Sequence, residues 1–138
     1  MNYCQVKTIL ALSAPKFYLI VAIIWTGIIT YFCLINSSAI PGIANGFDKI
    51  GHFSFHFGMV IFWFLYFNAR KKHLFLKINL RNAFLLSLFY GIFLELGQKY
   101  LTTTRNADIK DVLANSVGGL MAILLLAVRS NRSIIPKK

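Results

Sequence analysis

Long apolar stretches alternate with short polar connections along this chain. Four stretches are long enough to cross a bilayer. Phe17 to Ile35 carries no charged residue. Lys49 to Phe67 is rich in aromatic residues and holds His52 and His56. Asn82 to Tyr100 is apolar until Glu95 and Gln98, near its end. Ile109 to Val128 has a polar first half and an aliphatic second half. A bilayer core takes about 20 apolar residues as helix, so each stretch predicts one span. The expected fold is all-α, a four-helix transmembrane bundle forming a single domain over residues 1–138. The spans are expected at about 17–35, 49–67, 82–100 and 109–128. A secretory signal is the rival reading of the first stretch, since Ser37-Ser38-Ala39 resembles a cleavage site. An apolar signal core is usually about 7–15 residues, and this stretch is longer, so an uncleaved first helix is expected.

Composition agrees with the pattern. Hydrophobic residues make up 57% of the chain and charged residues 14%, against about 25% charged in soluble domains. So few charges cannot coat a soluble surface, and so many apolar residues exclude disorder. The net charge of +11 would by itself point to nucleic acid, but its distribution does not. Lys7, Lys16, Arg70, Lys71, Lys72, Lys77, Arg81, Arg129, Arg132, Lys137 and Lys138 fall on one side of a four-span chain. Lys49, Lys99, Arg105 and Lys110 fall on the other. Basic residues accumulate in short cytoplasmic segments, so both termini are expected in the cytoplasm, and no nucleic acid partner is expected. All four acids, Asp48, Glu95, Asp108 and Asp111, lie on the opposite, outer side, which is therefore balanced in charge.

The acids belong to stripes. Asp48, His52 and His56 are spaced i, i+4, i+8 at the outer end of the second span. Glu95 and Gln98 are spaced i, i+3 at the end of the third, with Ser87 and Gly91 extending that stripe inward. Asp108, Asp111 and Asn115 are spaced i, i+3, i+7 at the start of the fourth, above a small-residue face of Ala114, Gly118 and Ala122 that permits close helix approach. Ionisable groups at membrane depth are costly, and they tend to face the interior and serve a function. The two cysteines, Cys4 and Cys33, have no metal or redox spacing and are expected as thiols.

The chain resembles the VanZ-like family of small bacterial membrane proteins. The resemblance rests on Asp48-Lys49-Ile50-Gly51-His52, then Glu95-Leu96-Gly97-Gln98, then Arg105-x-x-Asp108-x-x-Asp111-x-x-x-Asn115-x-x-Gly118, in that order on consecutive spans. It covers roughly Asp48 to Leu126. His56 stands where many relatives have an aromatic residue. The family is named for a protein associated with glycopeptide (teicoplanin) resistance, and the resemblance implies a multi-pass protein of the bacterial cytoplasmic (inner) membrane. It does not supply an activity.

Three kinds of chemistry fit the outer residues. The first is a ligand site, with Lys49, Gln98, Arg105, Asp108 and Asn115 binding an envelope lipid, a glycan precursor or a glycopeptide. The second is metal-assisted hydrolysis or transfer on an envelope lipid. Asp48, His52, Glu95, Asp108 and Asp111 would hold a divalent metal there, and Asp48, His52, Glu95 and Asp111 are the catalytic candidates. No H-E-x-x-H, G-x-S-x-G or phosphate loop supports catalysis. The third is a proton or ion path starting at Asp48, His52 and His56. Against all three stands a scaffold reading. It pairs Arg105 with Glu95 or Asp108, Lys49 with Asp48 or Asp111, and Gln98 with Asn115. It packs His56 in the bundle and sends the aromatic residues of the second span to lipid.

Overall fold

Each apolar stretch folds as one helix. The computed structural model describes residues 3–35, 47–70, 76–102 and 108–134. They form α1 (Tyr3–Leu34), α2 (Phe47–Arg70), α3 (Leu76–Leu101) and α4 (Ile109–Ile134), with no strand among the described residues. The apolar segments Ala14–Leu34, Asp48–Arg70, Leu76–Leu101 and Ile109–Ser130 are 21, 23, 26 and 22 residues long. At 1.5 Å per residue each can cross a hydrocarbon core about 30 Å thick.

Two helices are longer than their uncharged cores. α1 starts at Tyr3 and runs through Pro15. A proline in a helix leaves one carbonyl a turn earlier without its amide partner, so Pro15 marks the point where the helix passes into its apolar span. α3 starts at Leu76 rather than Asn82. Its added turns carry exposed Lys77, Ile78 and Arg81 on one side and buried Asn79 and Leu80 on the other, an amphipathic pattern that continues the helix beyond its purely apolar part.

The exterior is apolar. Phe17, Ile20, Phe89, Phe93, Leu113 and Leu124 are all at least half exposed. The interior holds His52, His56, Ser87, Glu95, Gln98, Asp111 and Asn115. This polarity is the reverse of a water-soluble protein and suits a lipid surround, where apolar side chains face the tails and polar ones face each other.

α2 packs against all three other helices, most extensively against α4. That central place corrects the expectation for its aromatic residues. Phe53, Phe55, Phe57, Phe62, Phe64, Tyr66 and Phe67 are buried or half-buried. Phe55 and Phe62 pack edge-on against Trp25 of α1, and Phe55 stacks on Phe32. A helix with neighbours on several sides packs its aromatic residues against them.

Two apolar clusters fill the core. Val60, Phe64, Leu80, Ala83 and Ala122 lie between α2, α3 and α4. Ile29, Cys33, Met59 and Leu94 lie between α1, α2 and α3. The α2–α4 contact depends on Gly118. A Cβ there would stand 2.2 Å from the carbonyl oxygen of Phe53, far inside van der Waals contact, so the two backbones approach as closely as they do because this position has no side chain.

Candidate functional site

Hydrogen bonds fix which helix ends meet. Gln98 Nε2 of α3 donates to the Cys33 carbonyl of α1 at 2.8 Å. The Asp108 amide before α4 donates to Glu95 Oε2 of α3 at 3.2 Å. Lys49 of α2 meets Asp111 of α4. The end of α1, the start of α2, the end of α3 and the start of α4 therefore lie together, and every acid of the chain is there.

His52 is the centre of this end. It is 3% exposed. Its Nδ1 lies 3.1 Å from Asn115 Oδ1. An amide oxygen only accepts, so Nδ1 carries the proton and donates. On the same side, Glu95 Oε1 stands 3.8 Å from Nδ1. On the other side of the ring, Nε2 stands 3.7 Å from Asp48 Oδ1 and 3.9 Å from Asp111 Oδ2. Lys49 Nζ is 3.2 Å from Asp111 Oδ1 and 3.6 Å from Asp108 Oδ2. The Lys49 and Asp108 side chains are 44% and 41% exposed and form a rim over the buried His52, Glu95 and Asp111.

The start of α4 explains its own spacing. Asp108 is the N-cap: its Oδ1 accepts the Lys110 amide at 2.9 Å, as a carboxylate at that position does. One turn on, Asp111 turns inward to Lys49 and His52. Asn115 follows at i+4 against His52, and Gly118 at i+7 against Phe53. Asp108 lies just outside the span and its carboxyl is held below the ordinary carboxylate range. The Lys110 amide is the main cause, partial burial opposes it, and the Lys49 ammonium reinforces it.

A second layer lies deeper. His56 Nδ1 and Ser87 Oγ share a 2.8 Å hydrogen bond, both residues buried. Gly91 leaves the space between His56 and Asn115. A Cβ there would come within 2.9 Å of both side chains. Below His56 the interior passes to the apolar cluster around Val60 and Ala83.

Of the residues singled out in the sequence, the structure brings Asp48, Lys49, His52, Glu95, Asp108, Asp111 and Asn115 to one place. Arg105 lies outside the described residues. Gln98 does not pair with Asn115. It faces α1, beside Leu94 one turn earlier, whereas Asn115 faces α2, so the expected pair is split between two sides of the bundle. Lys49 takes Asp111 of the two acids expected for it.

The polar contacts made by α1 are not among the residues singled out in the sequence. Trp25 Nε1 donates to the Phe55 carbonyl at 3.0 Å, Trp63 Nε1 donates to Thr26 Oγ1 at 3.2 Å, and Thr30 hydrogen-bonds Tyr90. The signal was present: Thr26 and Thr30, one turn apart in an otherwise apolar span.

The family model VanZ/LLP1 matches residues 6–130. The chain belongs to the VanZ/LLP1 family. The matched region contains all four spans of this VanZ/LLP1 protein and every residue of the polar cluster, and with them it is a multi-pass membrane protein. No curated protein and no solved structure matches it. The VanZ/LLP1 assignment therefore stands on the family model, and the chemistry of the cluster must be argued from its geometry.

Proposed function

We propose that this VanZ/LLP1 protein binds the polar headgroup of a lipid-linked envelope precursor in the outer leaflet of the bacterial cytoplasmic membrane. The binding site is the end of the bundle shared by α2, α3 and α4. One observation carries the reading. His52, Glu95 and Asp111, each no more than 5% exposed, converge beneath a rim of Lys49 and Asp108 that is open to the surroundings. Holding four helices together does not require three buried ionisable groups at an open end, because hydrogen bonds between membrane helices contribute only about 0.6 kcal/mol each. The positive-inside bias supports an outward-facing cluster. The apolar cluster below His56 weighs against a proton path through the bundle.

The test is binding of a short-chain polyprenyl diphosphate to the full-length protein in nanodiscs of neutral lipid. Wild type should retain it in preference to phosphatidylglycerol. Lys49→Ala should weaken retention about tenfold or more, the scale of one lost charge-assisted hydrogen bond, and Asp111→Asn should weaken it by releasing Lys49 from the carboxylate that holds it. Equal retention of the two lipids, or no loss in either variant, would refute the reading.

A further inference from the structure

The space between His52, Asp48 and Asp111 has an unusual electrostatic arrangement. Because Nδ1 of His52 gives its proton to Asn115 Oδ1, the neutral imidazole has its lone pair on Nε2. That lone pair faces two carboxylates, Asp48 Oδ1 at 3.7 Å and Asp111 Oδ2 at 3.9 Å. An imidazolium hydrogen-bonded to either one would close to about 2.7–2.9 Å. These separations are longer than that. They are close to the spacing of donors that share one ion: around a tetrahedral centre with bonds of about 2.1 Å, neighbouring donors stand about 3.4 Å apart. One donor atom from each of Asp48, His52 and Asp111 lies within 4.8 Å of the others.

A second observation concerns the opposite edge of the same imidazole. Glu95 is 3% exposed, and its Oε1 has no hydrogen-bond partner among the described residues. That oxygen is aimed at the same imidazole from the Nδ1 side. With Asn115 it supplies the outer acceptors that metal-bound histidines use to fix their tautomer and raise their basicity. The charge balance agrees. Lys49 lies within ion-pair distance of Asp108 and Asp111, and a divalent cation would add positive charge among the four carboxylates gathered here. Anionic groups in a membrane interior need compensation.

We propose that Asp48 Oδ1, His52 Nε2 and Asp111 Oδ2 form a site for a divalent transition cation, Zn²⁺ or Mn²⁺. Asn115 and Glu95 act as positioning residues on the far side of the imidazole. One nitrogen with carboxylate oxygens suits these ions better than Mg²⁺ or Ca²⁺, which favour oxygen alone. The three protein ligands come from two helices, α2 and α4, and leave coordination positions on the rim side. There the ion would take a phosphate oxygen of the headgroup proposed above. That last clause rests on the proposed function; the cation site does not.

The experiment uses tag-free, full-length protein in detergent, stripped with chelator and titrated with Mn²⁺ alone and with Zn²⁺ alone. Bound Mn²⁺ is read by electron paramagnetic resonance, with the nitrogen coupling of a bound imidazole as the signature. Wild type should bind one ion per chain, with that coupling present. His52→Gln should abolish the coupling. Asp48→Asn, at a half-buried position, should weaken binding by about 10–100-fold, and so should Asn115→Ala behind the imidazole. Zn²⁺ should displace the Mn²⁺ and raise the thermal midpoint of wild type more than that of Asp48→Asn. Binding no stronger in wild type than in Asp48→Asn, or Mn²⁺ bound without nitrogen coupling, would overturn the site. Polyprenyl diphosphate retention is measured separately on the same samples, so an ion bound without lipid selectivity refutes the headgroup and leaves the cation site standing.

Discussion

Asp108 closes the first turn of α4 with one carboxylate oxygen and faces Lys49 with the other. The two roles can be separated. Asp108→Asn keeps a good N-cap and removes the charge, whereas Asp108→Ala removes both. Thermal unfolding in detergent at pH 7 should therefore rank wild type above Asp108→Asn, and Asp108→Ala last. The folded carboxyl titrates below its ordinary value of 3.8, so it binds its proton less readily than in the unfolded chain. Its contribution is complete above about pH 3.8 and is lost as the pH falls through the lower folded value. The gap between wild type and Asp108→Asn should close over that acid range. A gap unchanged at low pH would show that the carboxylate charge contributes nothing. At this scale the sequence was readable as spacing. The three-, four- and three-residue steps from Asp108 through Asp111 and Asn115 to Gly118 are a cap followed by one inward face. The partners were less readable, because spacing gives the face of a helix and not the neighbour across from it. Gln98 and Asn115 show the difference, since each is polar, each is buried, and they serve different helices.

Among the elements, α2 and α4 are the pair on which the site depends, and Gly118 sets their separation. Gly118→Ala forces a Cβ against the Phe53 carbonyl, and neither backbone can yield without moving its helix. The expected cost is about 1–3 kcal/mol, as for other overpacked sites. Gly97 is the control, since its Cβ would meet only side chains, at 3.7 Å and beyond. Gly97→Ala should be neutral or slightly stabilising through helix propensity. Reversible unfolding in mixed micelles measures both, and equal stability of the two variants would contradict the close approach. The small-residue face of α4 announced this contact in the sequence. The role of α1 was hidden for the opposite reason. Its contribution is made by Thr26, Thr30, Trp25 and a backbone carbonyl, groups that do not interrupt an apolar run.

For the whole molecule, the four-helix fold was legible because length and apolarity alone decide what crosses a bilayer. The uneven distribution of Lys and Arg predicts the orientation, and that prediction can be checked directly. In a cysteine-free background, Lys110→Cys and Arg70→Cys place thiols at exposed positions at opposite ends of the bundle. A membrane-impermeant maleimide added to intact cells should label the first and spare the second. The reverse result would put the acidic cluster on the cytoplasmic side and remove the outer-leaflet ligand.

The main partner of α2 is α4, which is made last of the four. Asp48, His52 and His56 leave the ribosome well before Asp111 and Asn115. During that interval α2 has only α1 and then α3 beside it. His56 meets Ser87 once α3 arrives, whereas His52 waits for Asn115 of α4. Without α4, His52 lacks Asn115 and Glu95 lacks the Asp108 amide. The polar cluster thus closes only when α4 has joined the other three helices.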